Sequence, residues 1–253
     1  MTPARRHVAL ACYDEKFMTS INLIQENVLR TRERIARAAE AAGRREDEIT
    51  LVGVSKTRPA ADIRDAFNAG VIHFGENCVQ EREAKRSEIA DLSGRWHLIG
   101  HLQSNKALRA AHLFHSIDSV DSIALAERLD RAREGSTPAE KLRALIEVHI
   151  AAEESKSGAA ISDIPALAER MLQLRNLHFA GLMCIPPYLE DIEQLRPYFN
   201  KLRELRDKLQ TQLHHDLPVL SMGMSHDFES AIAEGATEVR VGTALFGARE
   251  TGQ

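Results

Sequence analysis

The segment Leu51-Val52-Gly53-Val54-Ser55-Lys56-Thr57 is an apolar, β-branched run that ends on a lysine. It is too short for a helix and reads as a buried strand. A lysine leaving the C-terminal end of a barrel strand is aimed into the mouth. Desolvation there lets its amine shed a proton and attack a carbonyl. The competing reading is a lysine that snorkels from a strand end into water. Other apolar runs end in polar or glycine-rich segments in the same way. They are Gly75-Glu76-Asn77, Gly100-His101-Leu102-Gln103-Ser104-Asn105-Lys106, Asp118-Ser119-Val120-Asp121, Ile185-Pro186-Pro187, Gly223-Met224-Ser225-His226-Asp227 and Gly242-Thr243-Ala244-Leu245-Phe246-Gly247. Barrel enzymes carry their chemistry on such post-strand loops.

The last two segments suit an anion. Ser225 precedes a helix, so its hydroxyl and the neighbouring backbone N–H groups can cap that helix or face a phosphate. Gly242 allows close backbone approach, and Thr243 adds a donor. Barrels often bind phosphate between their last two strands; ordinary capping and a tight turn are the alternative. Arg240 lies inside an apolar run and needs a partner, either a ring nitrogen or a carboxylate such as Glu238. Asn77 is a candidate to orient a ring or a phosphate-bound water, or else an N-cap. His97 and His101 are four apart, but on a strand that spacing separates them and no third ligand is evident, so no metal site is expected. Met183, Met222 and Met224 read as core and ligand-face packing.

The elements that position these residues alternate. Strands are expected over 50–55, 71–74, 96–99, 113–117, 144–150, 179–184, 219–222 and 238–241. Helices are expected over 60–69, 79–90, 105–111, 122–134, 164–173, 191–213 and 228–233. An amphipathic helix over about 20–42 precedes them, with Ile21, Ile24, Val28, Ile35 and Ala38 on one face. Eight strand–helix units in 253 residues predict an α/β fold, a single (β/α)8 TIM-type barrel with an additional N-terminal helix. A doubly wound sheet fits less well, because no G-x-G-x-x-G opens a helix. Residues 1–17 read as a poorly ordered extension, with Met18 as an alternative start, and 18–253 as one barrel domain. The polar segment 153–162 reads as a mobile loop.

Composition narrows the function. Hydrophobic residues make up 43% and charged residues 28%, which suits a packed globular core. The net charge is -4 with no basic arm, against a nucleic-acid binder, and no run is long enough for a membrane span. Cys12, Cys78 and Cys184 are odd in number and widely spaced, as expected of reduced thiols in a cytoplasmic protein. A closed barrel has no unpaired sheet edge, so a monomer is expected.

Seven ordered segments together resemble one family. They are Val54-Ser55-Lys56-Thr57, Phe74-Gly75-Glu76-Asn77, Trp96-His97-Leu98-Ile99-Gly100-His101 continuing to Lys106, Ser116-Ile117-Asp118-Ser119-Val120-Asp121, Gly181-Leu182-Met183-Cys184-Ile185-Pro186, Leu220 through Asp227, and Val239-Arg240-Val241-Gly242-Thr243-Ala244-Leu245-Phe246-Gly247. The chain resembles the pyridoxal 5′-phosphate (PLP) homeostasis proteins, single-domain barrels related to the N-terminal domain of alanine racemases. The resemblance runs from about Ile21 to Arg249. It implies that Lys56 holds PLP as a Schiff base and that Ser225, Gly242 and Thr243 bind its phosphate. It places Arg240 against the pyridine nitrogen, and Asn77, Met183 and Met224 along the ring. Two positions depart from the pattern: Cys78 stands where many relatives have tyrosine, and Arg58 where some have lysine. Arginine cannot form the imine, so any role of a second lysine there is in doubt.

The implied function is a non-catalytic carrier and buffer of PLP that maintains vitamin B6 homeostasis and supplies apo-forms of PLP-dependent enzymes. An arginine at the ring nitrogen weakens the electron sink. The opposite-face tyrosine of related racemases comes from a β-domain for which this chain has no residues left. A PLP-dependent amino-acid racemase is the alternative. A lysine-dependent aldolase acting on a phosphorylated sugar is a third reading, which leaves Arg240 and Gly75-Glu76-Asn77 less well explained.

Overall fold

The structure, a computed structural model, describes residues 15–135, 140–151 and 157–248. Eight strands form a closed, wholly parallel barrel in sequence order: β1 (Thr50–Val54), β2 (His73–Glu76), β3 (Arg95–Leu98), β4 (Ser116–Val120), β5 (Leu142–Glu147), β6 (Leu177–Met183), β7 (Val219–Met224) and β8 (Glu238–Val241). β8 pairs with β1 through Thr50–Glu238, Val52–Arg240 and the positions between. The helices are α1 (Glu15–Ala41), α2 (Ala60–Asn68), α3 (Val79–Lys85), α4 (Ala107–Leu113), α5 (Ile123–Ala132), α6 (Ile164–Gln173), α7 (Arg196–Leu213), α8 (Phe228–Ala233) and the single turn α9 (Thr243–Phe246). The expected (β/α)8 architecture with an N-terminal helix is therefore the observed one.

α1 packs against α2, α8 and α9, outside the seam where β8 closes on β1. Its buried positions Ile24, Val28, Thr31, Ile35 and Ala39 recur at three- and four-residue spacing, the stripe a helix turns toward a core. Ala38 is only partly buried. α1 begins at Glu15, inside the segment read as an extension. The rest of that segment, residues 1–14 with Cys12, lies outside the described residues, as do positions 153–156 of the polar loop. Ala159 of that loop forms a bridge with Val148.

Several elements are displaced from expectation, among them β2 (expected over 71–74), β5 (expected over 144–150), β4 and α3. The fourth strand was expected over 113–117 but spans Ser116–Val120, because Leu113 completes α4 instead. Asp118 and Ser119 therefore lie within the strand, not on a loop. α3 stops at Lys85 rather than near Ala90.

Polar residues fill the N-terminal layer of the barrel interior. His73 Nδ1 lies 2.9 Å from His97 Nε2, and His97 Nδ1 lies 3.0 Å from Asp118 Oδ2. Ser116 Oγ donates to the other Asp118 oxygen, and Arg143 Nη2 donates to Glu238 Oε2 at 2.7 Å. His97 is thus structural. Ligand atoms of His97, Asp118 and Glu238 lie within 4.8 Å of one another, a spacing a cation could use. Arg143 already supplies positive charge there and bonds the facing Glu238 oxygen. Burial alone would raise the Asp118 carboxyl. The charges of His97 and Arg143 and the bonds from His97 and Ser116 reverse that and hold it well below the carboxylate range.

Burial, then the neighbouring charges of His97, Arg143 and Arg95, push the His73 imidazole down from 6.5 to about 4. Below its ordinary value the unfolded chain takes up a proton that the folded chain refuses. Stability therefore declines as pH falls from 6.5 toward about 4. The Asp118 contribution is lost only in stronger acid. Urea unfolding measured across this range, with His73→Gln as comparison, checks the effect: the variant is expected to show a flatter profile.

Candidate cofactor site at the C-terminal mouth

Lys56 stands two residues beyond the end of β1 and is half-buried. Val52 pairs with both His73 and Arg240, so alternation puts Val52 and Val54 on the interior face with Arg240, and Lys56 follows on the turn just beyond them. Ser55 turns outward, fully buried, and its Oγ donates to Glu76 Oε1 at 2.8 Å. Thr57 adopts φ +62, a left-handed conformation that costs a β-branched residue about 1–2 kcal/mol. Its N–H donates to Glu81 Oε2 at 2.9 Å. Arg58 donates to the carbonyls of Gly247 and Ala248, tying this loop to the end of α9.

Arg240 is 3% exposed. Its guanidinium donates to Ser221 Oγ and to the Cys184 carbonyl, both at 2.8 Å. The carboxylate expected as its partner, Glu238, bonds Arg143 instead. Glu238 and Arg240 share the interior face, but two residues along a strand separate them into different layers. Both acceptors on Arg240 are neutral; Glu147 and Asp227 feel its charge without a hydrogen bond to it among the described residues.

Ser225 does not cap α8; Asp227 holds that N-cap position. The Ser225 hydroxyl oxygen instead accepts from the N–H groups of Gly242 and Ala244, each at 3.2 Å. Ser225, Gly242 and the exposed Thr243 are thereby gathered at the start of α9, between β7 and β8. Asn77 is half-buried. The N-cap of α3 is Cys78, so the capping role considered for Asn77 does not hold. A Cβ on Gly100 would fall 2.4 Å from the Asn77 carbonyl, so glycine there lets the loops after β2 and β3 press together. Met183 is fully buried against Leu145 and Ala180, and Met224, half-buried, pairs with Arg240. His101 lies at the rim, 3.4 Å from Asp121.

Glu147 was not singled out from sequence. It ends β5, opposite β1 in the strand order, and is 3% exposed. Ser157 Oγ donates to one of its oxygens at 2.9 Å, while the other has no hydrogen-bond partner among the described residues. Burial pushes its carboxyl up, against the Ser157 bond and the charge of Arg240. The rule that drew attention to Lys56, an ionisable residue ending an apolar run, finds Glu147 when applied to Ala144-Leu145-Ile146-Glu147.

An amine, a buried guanidinium and a cradle of amides and hydroxyls thus occupy one end of the barrel. The alanine racemase N-terminal domain family matches residues 27–250. A pyridoxal phosphate homeostasis protein of Pseudomonas aeruginosa is 46% identical over 232 residues, 92% of this chain and 98% of that protein. Its counterpart in Aquifex aeolicus is 47% identical over 225 residues, 89% of this chain and 98% of the relative. The chain belongs to the pyridoxal phosphate homeostasis protein family. Among solved structures, PipY of Synechococcus elongatus with PLP bound has a TM-score of 0.74 and 41% identity, covering 84% of this chain and all (100%) of that one.

In this member of the pyridoxal phosphate homeostasis protein family, the two described cysteines differ in chemistry. Cys78 is exposed. Cys184 is buried beside Arg240, and burial pushes its thiol up to about 12. A thiolate is the nucleophile, so Cys184 is expected to stay inert in the native protein while Cys78 reacts. Iodoacetamide labelling followed by peptide mass spectrometry, before and after unfolding, reads this directly.

Proposed function

We propose that this protein binds PLP in the C-terminal mouth of the barrel and acts as its carrier and buffer, with Lys56 as the covalent anchor. The observation that carries the reading is the meeting of Ser225 with the Gly242 and Ala244 amides beside β1, the strand that leads into the Lys56 turn. Its setting is a relative, 41% identical, whose solved structure holds PLP. PLP supplies an aldehyde that condenses reversibly with a primary amine, and a pyridine ring that withdraws electrons.

The chain's residues fit that group. Ser225, Gly242 and Thr243 grip the phosphate, with the start of α9 contributing N–H donors. Arg240 presents donors only, so it bonds a ring nitrogen that carries no proton. Ser221 and the Cys184 carbonyl fix the orientation of that guanidinium. Asn77, Met183 and Met224 line the ring. Holding the ring nitrogen unprotonated mutes electron withdrawal, which suits storage better than carbanion chemistry. Recipients are apo-forms of PLP-dependent enzymes, and we expect the carrier to work as a cytoplasmic monomer. No described helix is long and apolar enough to cross a membrane.

Glu147 keeps an amino-acid racemase as the second reading. It is a buried carboxyl with a raised pKa at the end of the strand opposite β1, which qualifies it as an acid–base group. Chiral chromatography after incubation of the PLP-loaded protein with single-enantiomer amino acids separates the readings. Turnover that disappears in Lys56→Ala favours the racemase.

Adding PLP to the purified protein is expected to produce a visible absorption band, and borohydride reduction is expected to fix a pyridoxyl mass on Lys56. Lys56→Ala abolishes both. Thr243→Ala weakens binding by roughly tenfold, the loss of one hydrogen bond to a charged group. An undiminished band in Lys56→Ala rejects the anchor.

A further inference from the structure

We propose that Glu76, Lys85 and Glu81 form a clamp behind the barrel wall that fixes the Ser55–Lys56–Thr57 turn and so controls how tightly Lys56 retains its aldehyde ligand. The inference rests on the PLP reading and deepens it. All three are positioning residues that act through the backbone on either side of Lys56.

The contacts close on themselves. Ser55 Oγ and Lys85 Nζ both donate to Glu76 Oε1, each at 2.8 Å. Lys85 Nζ also donates to the Ser55 carbonyl at 2.8 Å, the carbonyl joined to the Lys56 nitrogen. Glu81 Oε2 lies 3.9 Å from Lys85 Nζ and accepts the Thr57 N–H at 2.9 Å. The residues before and after Lys56 are therefore each bonded to a carboxylate, one on β2 and one on α3, and Lys85 bridges the two.

This is not a solvated surface pair. The Lys85 side chain is 13% exposed and that of Glu76 is 0% exposed. Burial pushes the Glu76 carboxyl up, against the bonds from Lys85 and Ser55, and its second oxygen has no hydrogen-bond partner among the described residues. A buried charge with an orphaned oxygen opposes folding, and Thr57 adds a left-handed backbone. Costs concentrated around one side chain mark a segment held in place for function. The product is a pre-ordered amine. Its backbone freedom is already spent before a ligand arrives, so binding loses less entropy and the bound state is slower to open.

The test uses full-length protein titrated with PLP, reading the dissociation constant, the release rate and the pH at which the visible band is half lost. Lys85→Met is expected to weaken retention by about tenfold, mainly through faster release, while Lys85→Arg keeps the donor and recovers most of it. Lys85→Met removes a cation and Glu76→Gln an anion, so their pH midpoints are expected to shift in opposite directions. Glu81→Gln, at a partly exposed position, gives a smaller loss of retention, with its pH midpoint shifted in the same direction as that of Glu76→Gln, and carries the test should Lys85→Met not fold.

A merely structural role predicts lower melting temperatures of the ligand-free variants with unchanged affinity, release rate and pH midpoint. That result overturns the clamp while leaving the PLP reading intact. Wild-type protein that shows no band with PLP overturns both.

Discussion

Every inward side chain of a closed eight-strand barrel meets only other inward side chains or a ligand that enters from one end. The interior here resolves into two layers under that constraint. In the lower layer Arg143 meets Glu238, and Asp118 is bonded by the His97 ring and the Ser116 hydroxyl. In the upper layer Arg240 rests on a hydroxyl and a carbonyl, and Glu147 on a hydroxyl. Buried charge is tolerated in both, but only in the upper layer is it left without an opposite charge bonded to it. The mouth is therefore the end of the barrel whose electrostatics a charged ligand completes.

The two charged groups of the proposed site, Arg240 and Lys56, are held by opposite strategies. Arg240 lies inside the wall, with its orientation fixed by acceptors on β7 and just beyond β6. Lys56 lies on a turn past the strand end, where the ladder no longer restrains the chain. The first needs only the register of the barrel. The second needs contacts from outside it, and β2 and α3 provide them through Glu76, Lys85 and Glu81.

Much of this was legible before any coordinates. Long apolar runs and clean helical periodicity located all eight strands in order, and 164–173, 228–233 and 238–241 match α6, α8 and β8 residue for residue. β4 was displaced because its inward residues, Ser116 and Asp118, are polar. A pattern that looks for apolar runs passes over a strand whose interior face joins a hydrogen-bonded layer. α9 was read as a glycine-rich turn because one helical turn leaves almost no periodicity. The convergence of Ser225 with Gly242 was legible from the habits of barrels, but not that the hydroxyl would accept from those amides rather than cap α8. The partner of Arg240 and the bonds around Glu76 were beyond reach for one reason. They join residues remote in sequence, and which of several nearby acids or hydroxyls takes a donor depends on register and layer.

The Ser225 arrangement bears on how firmly a phosphate is held. In many anion sites the amide donors wait for the ligand, which then gains their full value. Here the N–H groups of Gly242 and Ala244 are satisfied by Ser225 Oγ. A dianion entering this cradle exchanges a neutral acceptor for a charged one. A hydrogen bond to a charged partner is worth about 1.5–3 kcal/mol against about 0.5–1.5 for a neutral one, so the exchange gains only the difference. On the proposed reading the phosphate grip is then modest, and retention would depend largely on a reversible bond at Lys56. A site built this way would release a covalently held ligand whenever that one bond opened, which is the property the proposed carrier role requires and a permanent holoenzyme avoids.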